Sequence, residues 1–269
     1  MTQSGWNANY NSAKGSLLVG DGTRPEVRTV GTDGQVLTAN SAQADGVEWT
    51  TLGTLSMSMQ VFTASGIYVP TLGMKACIVE MVGGGAAGGG AEATAAGENS
   101  VGGGGGSGEY ARSTFSAATI GASQTVTIGA AGTGASGVAG GNGSTTSLGA
   151  LMTALGGSGG STGTAGATSS AAGGTGGTGG TGGDFVMQGS SGKPAFSNTL
   201  FGASGAGGGS FFGNGGIAAY YALASQAGVA PAGTNNYGSG GSGGINDASQ
   251  SAVAGGNGSD GVVVITEFV

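Results

Sequence analysis

The sequence predicts a mainly β fold combined with a glycine-rich polyproline II helical bundle, preceded by a short β-rich N-terminal segment. Three observations carry this prediction. Glycine supplies 67 of 269 residues, several times its average use of about 7%. The glycines recur at every third place in separate runs, and stretches rich in β-branched and aromatic residues stand between and beyond those runs. Collagen is excluded, because it needs an unbroken triplet and abundant proline, and the chain has 4 prolines.

Residues 1–57 form the first part. Short apolar groups, Leu17–Val19, Val36–Leu37 and Val47–Trp49, are separated by Gly, Asp and Asn turn signals and read as short strands. A segment this small buries too little apolar surface to hold itself together. It is expected to lean on copies of itself or on the domain that follows.

Residues 58–269 form the second part. Its strand signals fall at about 58–82, 109–128, 144–155 and 262–269. Within the first, Val61–Phe62, Ile67–Val69 and Ala76–Val82 are punctuated by Pro70 and Gly73. The last, "VVVITEFV", is the clearest strand in the chain. These suffice for one small β-sandwich, closed by its first and last strands.

Between them lie glycine runs at about 83–90, 102–108, 129–143, 156–166, 173–183, 202–209, 238–244 and 255–261. In "GGTGGTGGTGG" the register is double, with glycine at 173, 176, 179 and 182 and also at 174, 177, 180 and 183. A period of three is that of the polyproline II helix, whose outward N–H and C=O groups can bond to neighbours. Two glycine faces admit neighbours on two sides and leave Thr175, Thr178 and Thr181 on an outer edge. A disordered Gly/Ser linker has similar composition. The triplet register, its recurrence, and a final strand that must return to the β part weigh for order.

Charge and residue types exclude several functions. The formal net charge is −7, and after Arg112 the sole basic residue is Lys193, so nucleic-acid binding lacks its driving force. Histidine is absent, which removes Ser/His/Asp and Cys/His nucleophiles and His-containing zinc sites. Cys77, the one cysteine, reads as a small core residue. "SSGKPAF" fails as a phosphate loop, because Pro194 stands where Ser or Thr should meet magnesium. No enzymatic activity, cofactor or metal is expected. No apolar stretch is long enough to insert in a membrane, and "MTQSGWNANYNS" lacks a secretory pattern, so synthesis in a cytoplasm without an export signal is expected.

The informative stretches are the islands between glycine runs, chiefly 184–201 and 210–237, with 91–101 and 245–253 shorter and more polar. Exposed aromatics on loops are recognition chemistry. Candidate binding residues are Phe185, Met187, Lys193, Tyr220, Tyr221 and Tyr237. Phe196, Phe201, Phe211 and Phe212 are expected to cap the ends of the bundle. If each run crosses the bundle once, the two large islands lie at opposite ends.

"GSLLVGDG…VGTDGQVLTANSAQADGVEW" resembles a short repeat of bacteriophage tail-fibre proteins. "FTASGIYVPTLGMKACIVEMVGGGAAGGGA", "GEYARSTFSAATIGASQTVTIGAAG", "GSTTSLGALMTALGG" and "GSDGVVVITEFV" resemble, in that order, the glycine-rich distal domain of phage and prophage tail fibres. The resemblance implies that 1–57 is a fibre-repeat region for attachment and trimerisation and that 58–269 is a receptor-binding tip built as a polyproline II bundle. It implies a virion tail-fibre location and a homotrimer. The implied partners are other fibre proteins and a receptor, glycan or outer-membrane protein, on the host bacterial surface. A structural fibre cap without receptor contact, or a non-phage glycine-rich surface or ice-binding bundle using the threonine edge, are the alternatives.

Overall fold

The computed structural model describes residues 13–53, 55–220 and 225–269. The chain divides into two compact units, Met1–Leu55 and Ser56–Val269.

The first unit holds two antiparallel hairpins, β1 (Leu17–Gly20) with β2 (Pro25–Arg28) and β3 (Gln35–Ala39) with β4 (Val47–Thr51). The β1–β2 turn is tied by the Asp21 carboxylate, which accepts the backbone N–H groups of Thr23 and Arg24 at 2.7 Å each. Arg28 donates from two guanidinium nitrogens to Asp45, at 2.6 and 2.7 Å, linking the hairpins. None of the described residues of this unit is buried.

The second unit contains β5 (Met57–Phe62), β6 (Gly66–Tyr68), β7 (Ala76–Val82), β8 (Ser100–Val101), β9 (Tyr110–Ser116), β10 (Gln124–Thr127) and β11 (Thr146–Leu148). It continues with β12 (Met152–Ala154), β13 (Thr168–Ala171), β14 (Phe185–Met187), β15 (Ala195–Asn198), β16 (Gly202–Ala203), β17 (Ile245–Asn246) and β18 (Val262–Phe268). A single helical turn, α1 (Ala117–Ile120), follows β9 and is capped by the Ser116 hydroxyl, which accepts the Thr119 N–H.

A five-stranded sheet, ordered β14-β9-β7-β18-β5, and a four-stranded sheet, ordered β12-β11-β10-β6, enclose the main core. Alternation decides what enters it. Cys77, Val79 and Met81 of β7 point inward with Val263 and Ile265 of β18, and meet Tyr68, Val126, Leu148 and Met152 from the other sheet. The inward register also buries Glu267, whose carboxylate accepts bonds from Tyr68 Oη at 2.8 Å, the Thr71 N–H at 3.0 Å and Gln60 Nε2 at 3.2 Å, as well as from the Thr71 hydroxyl. Burial pushes its pKa up, but these bonds outweigh burial and hold it below the ordinary value.

Glycine runs lead away from this sandwich to a second, smaller assembly. There β13-β15-β16 form one antiparallel sheet and β17-β8 another, around Val101, Ala171, Ala195, Ala219 and Ile245. Segment 102–109 runs through the middle of the connecting region, fully buried. Its N–H groups take partners in rotation. Gly102, Gly105 and Gly108 donate to Gly244, Gly241 and Gly238; Gly103, Gly106 and Glu109 to Ser161, Ser158 and Leu155; Gly104 and Ser107 to Lys193 and Ser190. The carbonyls of Gly102 to Ser107 and of Glu109 are met in the same way by donors from three further segments, 83–89, 174–177 and 205–208. Backbone groups that a buried coil would leave unpaired are thereby satisfied. The approach leaves no room for side chains: a Cβ on Gly104 would lie 1.9 Å from the Ala206 carbonyl oxygen.

The structure corrects the fold class expected from the sequence. It is β-rich, 35% strand and 2% helix, in several small antiparallel sheets, and no polyproline II bundle is shown. A triplet of glycines states which backbone faces need room for a neighbour, but not the class of element that results. Here the islands read as loops contain β8, β14, β15 and β17, and β13 falls between two runs. The runs, apart from β16 at the start of 202–209, lie outside the helices and strands and are held by individual bonds between distant segments.

Candidate functional site

The second assembly gathers several exposed large apolar side chains on short loops; at the sandwich, Leu72 of the β6–β7 loop is also exposed, at 97%. The β15–β16 connection, Asn198–Phe201, is a tight turn whose side chain does the holding. Asn198 Oδ1 accepts the N–H groups of Leu200 and Phe201 at 2.8 Å each, and the Asn198 N–H donates to the Phe201 carbonyl at 2.8 Å. Leu200 is left 94% exposed, with Phe196 and Phe201 about half-exposed beside it. Tyr220 bridges to Ala203 and is 60% exposed, and Ile217 is 73% exposed.

Buried polar side chains fix these loops from below. Asn99 exchanges backbone bonds with Gly166 (2.8 and 3.1 Å), donates from Nδ2 to the Ala167 carbonyl at 3.1 Å, and accepts the Ser197 hydroxyl at Oδ1. Ser100 Oγ donates to the Gly163 carbonyl and accepts the Glu92 N–H, both at 2.8 Å. Asn99 and Ser100 are almost fully buried, so segment 91–101, segment 163–167 and the Ser197 strand are stapled together by satisfied polar groups.

A second cluster lies beside the sandwich. Tyr110 in β9 stacks on Phe211, with ring centroids 4.1 Å apart and planes at 28°. Phe212 stands edge-on to Phe211 at 5.1 Å, and Phe185 edge-on to Tyr110 at 6.3 Å. Tyr110 is nearly buried, and its hydroxyl donates to Glu80. Burial, and then that bond, raise its pKa, so the phenol stays a donor. Between Ser107–Tyr110, Met187–Ser190 and Gly209–Phe211 opens a cleft of about 340 Å³.

The residues expected to bind do not converge. Phe185 and Met187 lie in β14, paired to Arg112 and Tyr110; Met187 lines the cleft, and Phe185 stands edge-on to Tyr110 outside its lining. Tyr237 is half-buried near them, bridged to Phe212 and accepting the Ser210 hydroxyl at its carbonyl. Tyr220 belongs to the other end, with the stapled loops. Lys193 is exposed partway between, its backbone bonded to Ala206 and Gly104. Tyr221 lies outside the described residues. Each large island is thus divided between the two ends, because short glycine segments inside it, 189–193 and 213–216, themselves cross the middle region. Phe196 and Phe201, read as caps, are half-exposed, whereas Phe211 and Phe212 do join an aromatic cluster. Leu200 escaped notice in the sequence, although an Asn two residues before an apolar pair is a turn signal.

Among the described residues no group of three or more His, Cys, Asp or Glu side chains is placed to hold a metal ion. The acidic groups near the cluster serve structure: Asp184 accepts the Ser113 hydroxyl at 2.7 Å and the Thr114 N–H at 3.2 Å, which hold its pKa below the ordinary value.

No curated protein matches the chain. Residues 63–267, more than half of it, match the glycine-rich domain family. The match takes in both sheets of the sandwich except β5 and the last residue of β18, and all the glycine segments. The chain therefore belongs to the family of glycine-rich domains.

Proposed function

We propose that the chain is the receptor-binding tip of a phage tail fibre, a non-enzymatic adhesin that attaches the virion to a receptor on a host bacterial surface. The observation that carries this reading is the set of exposed apolar side chains, Phe196, Leu200, Phe201, Ile217 and Tyr220, on loops fixed by buried polar bonds. One exposed leucine signifies little, but apolar side chains grouped on neighbouring ordered loops are the kind of surface that marks a contact outside the chain. Loops already ordered lose little further entropy on binding.

Several copies act together in this reading. The first unit has no buried described residue of its own, which favours assembly around copies. The outward face of β5 presents Met57, Met59 and Val61, 73%, 64% and 54% exposed. Weak sites repeated in one fibre gain avidity without new contacts. Other fibre proteins are the remaining partners. The test is adsorption of the purified chain to a panel of bacterial hosts. Saturable retention on a subset of strains is expected, and a folded chain that adsorbs to none overturns the reading in favour of a structural fibre cap.

A further inference from the structure

The cleft beside Tyr110 belongs to the sandwich end, away from the loops assigned to receptor contact, and its chemistry is of another kind. One wall is aromatic and one is polar. Phe211 is 53% exposed, and its orientation is set by stacking on Tyr110, itself held by Glu80. Such a platform exists before any ligand arrives. Its ring face carries the negative part of the quadrupole and attracts weakly positive C–H groups.

The polar wall has two unspent groups. The Gln188 amide and the Ser190 hydroxyl are exposed and form no hydrogen bond with the described residues. Their neighbours are spent: Ser107 Oγ accepts the Ser190 N–H at 2.8 Å, and the Ser210 hydroxyl donates to the Tyr237 carbonyl. An amide offers two donors and an acceptor, and a hydroxyl offers both roles. No charged side chain lines the cleft. At about 340 Å³ it falls at the lower end of small-molecule sites, which span about 300–1,000 Å³.

We propose that this cleft binds a neutral saccharide, with the C–H face of a pyranose ring on Phe211 and its hydroxyls on Gln188 and Ser190. A charged ligand finds no counter-ion in the lining, and a purely apolar one leaves both polar groups uncompensated. A ligand with an apolar face and a hydroxylated rim satisfies both walls.

The experiment presents the full chain to immobilised neutral oligosaccharides built from glucose, galactose and N-acetylglucosamine, alongside sulfated and sialylated counterparts, and then titrates the best neutral sugar in solution. Retention on neutral sugars is expected, with Phe211→Ala abolishing it. Because that change also disturbs the Tyr110 contact, Gln188→Ala is the cleaner variant: unchanged melting and about tenfold weaker binding are expected, the equivalent of one lost hydrogen bond. No retained neutral sugar, retention of acidic sugars only, or unaltered affinity in both variants overturns the proposal. The read-out uses no cells, so its failure is separate from a failure of adsorption through the stapled loops.

Discussion

Gly180 donates its backbone N–H to the carboxylate of Glu109 at 2.8 Å. The same carboxylate accepts the N–H groups of Gly179 at 3.1 Å and Leu155 at 3.0 Å, and Glu109 is 1% exposed. The chain reaches it by leaving its triplet path: Gly179 takes φ +99°, a conformation that favours glycine. The carboxylate thus closes the end of segment 173–183 where it comes back to the sandwich.

Glu109→Ala leaves the N–H groups of Leu155, Gly179 and Gly180 without the buried carboxylate that accepts them. A loss of about 3 kcal/mol is expected, which for a unit of this size lowers the melting temperature by roughly 6–12 °C. Calorimetry of the full chain measures it, and an unchanged transition would show that Glu109 is incidental.

Gly104→Ala places a methyl group against the Ala206 carbonyl with backbone on both sides and nothing flexible to yield. A loss at or above the upper end of the about 1–3 kcal/mol of overpacking is expected. Gly66→Ala is the control, because nothing lies within 4 Å of a Cβ there, and its effect should stay within about 0.5 kcal/mol. Paired urea titrations separate the close-approach glycines from those in open space.

Acid should weaken the sandwich through Glu267. Its folded pKa lies below the ordinary 4.5, so the folded state binds fewer protons than the unfolded one, and stability present above 4.5 is lost as pH falls through the lowered value. Melting temperatures from pH 7 to pH 3 are expected to hold and then drop. Glu267→Gln should begin lower at neutral pH and lose less on acidification; parallel curves would assign the acid response to other carboxylates.

Leu200→Ser combined with Phe201→Ser removes two exposed side chains from a turn fixed by Asn198 rather than by them. Melting should be unchanged, while adsorption to a susceptible strain falls at least about tenfold, as for a central contact. Equal adsorption would move the receptor contact elsewhere on the chain.

Met59→Lys puts a charge in the middle of the outward apolar face of β5, opposite Thr266 on β18. Light scattering on the full chain should show a shift toward monomer. An unchanged mass would leave the first unit, rather than β5, as the place where copies meet.

Some of this architecture is legible in the residues. Alternation in "ACIVEMV" and the apolar run "VVVITEFV" specify paired strands whose inner faces build one core. The double register of 173–183 marks which backbone faces are crowded: Gly174, Gly176 and Gly177 are buried, and Thr175, Thr178 and Thr181 are exposed. Several strands outside the sandwich left no such trace. "TSSA", "AFSN", "GA" and "IN" are short and small, and they become strands only because partners distant in sequence supply the other half of each ladder. Nor does any spacing disclose that Phe185 and Phe211 would flank one tyrosine.

The sequence by itself determined that the chain is β-rich at its ends, that its glycine segments must lie against other backbone, and that charge- or metal-based chemistry has few residues to draw on. The tertiary structure decided the rest: sheets rather than a polyproline II bundle as the regular element, the division of each island between two ends, and the use of Glu109 and Glu267 as buried anchors. The reason is physical. A missing side chain records room for a neighbour without recording which neighbour fills it, and backbone hydrogen bonds, identical at every residue, carry no address until the whole chain is in place.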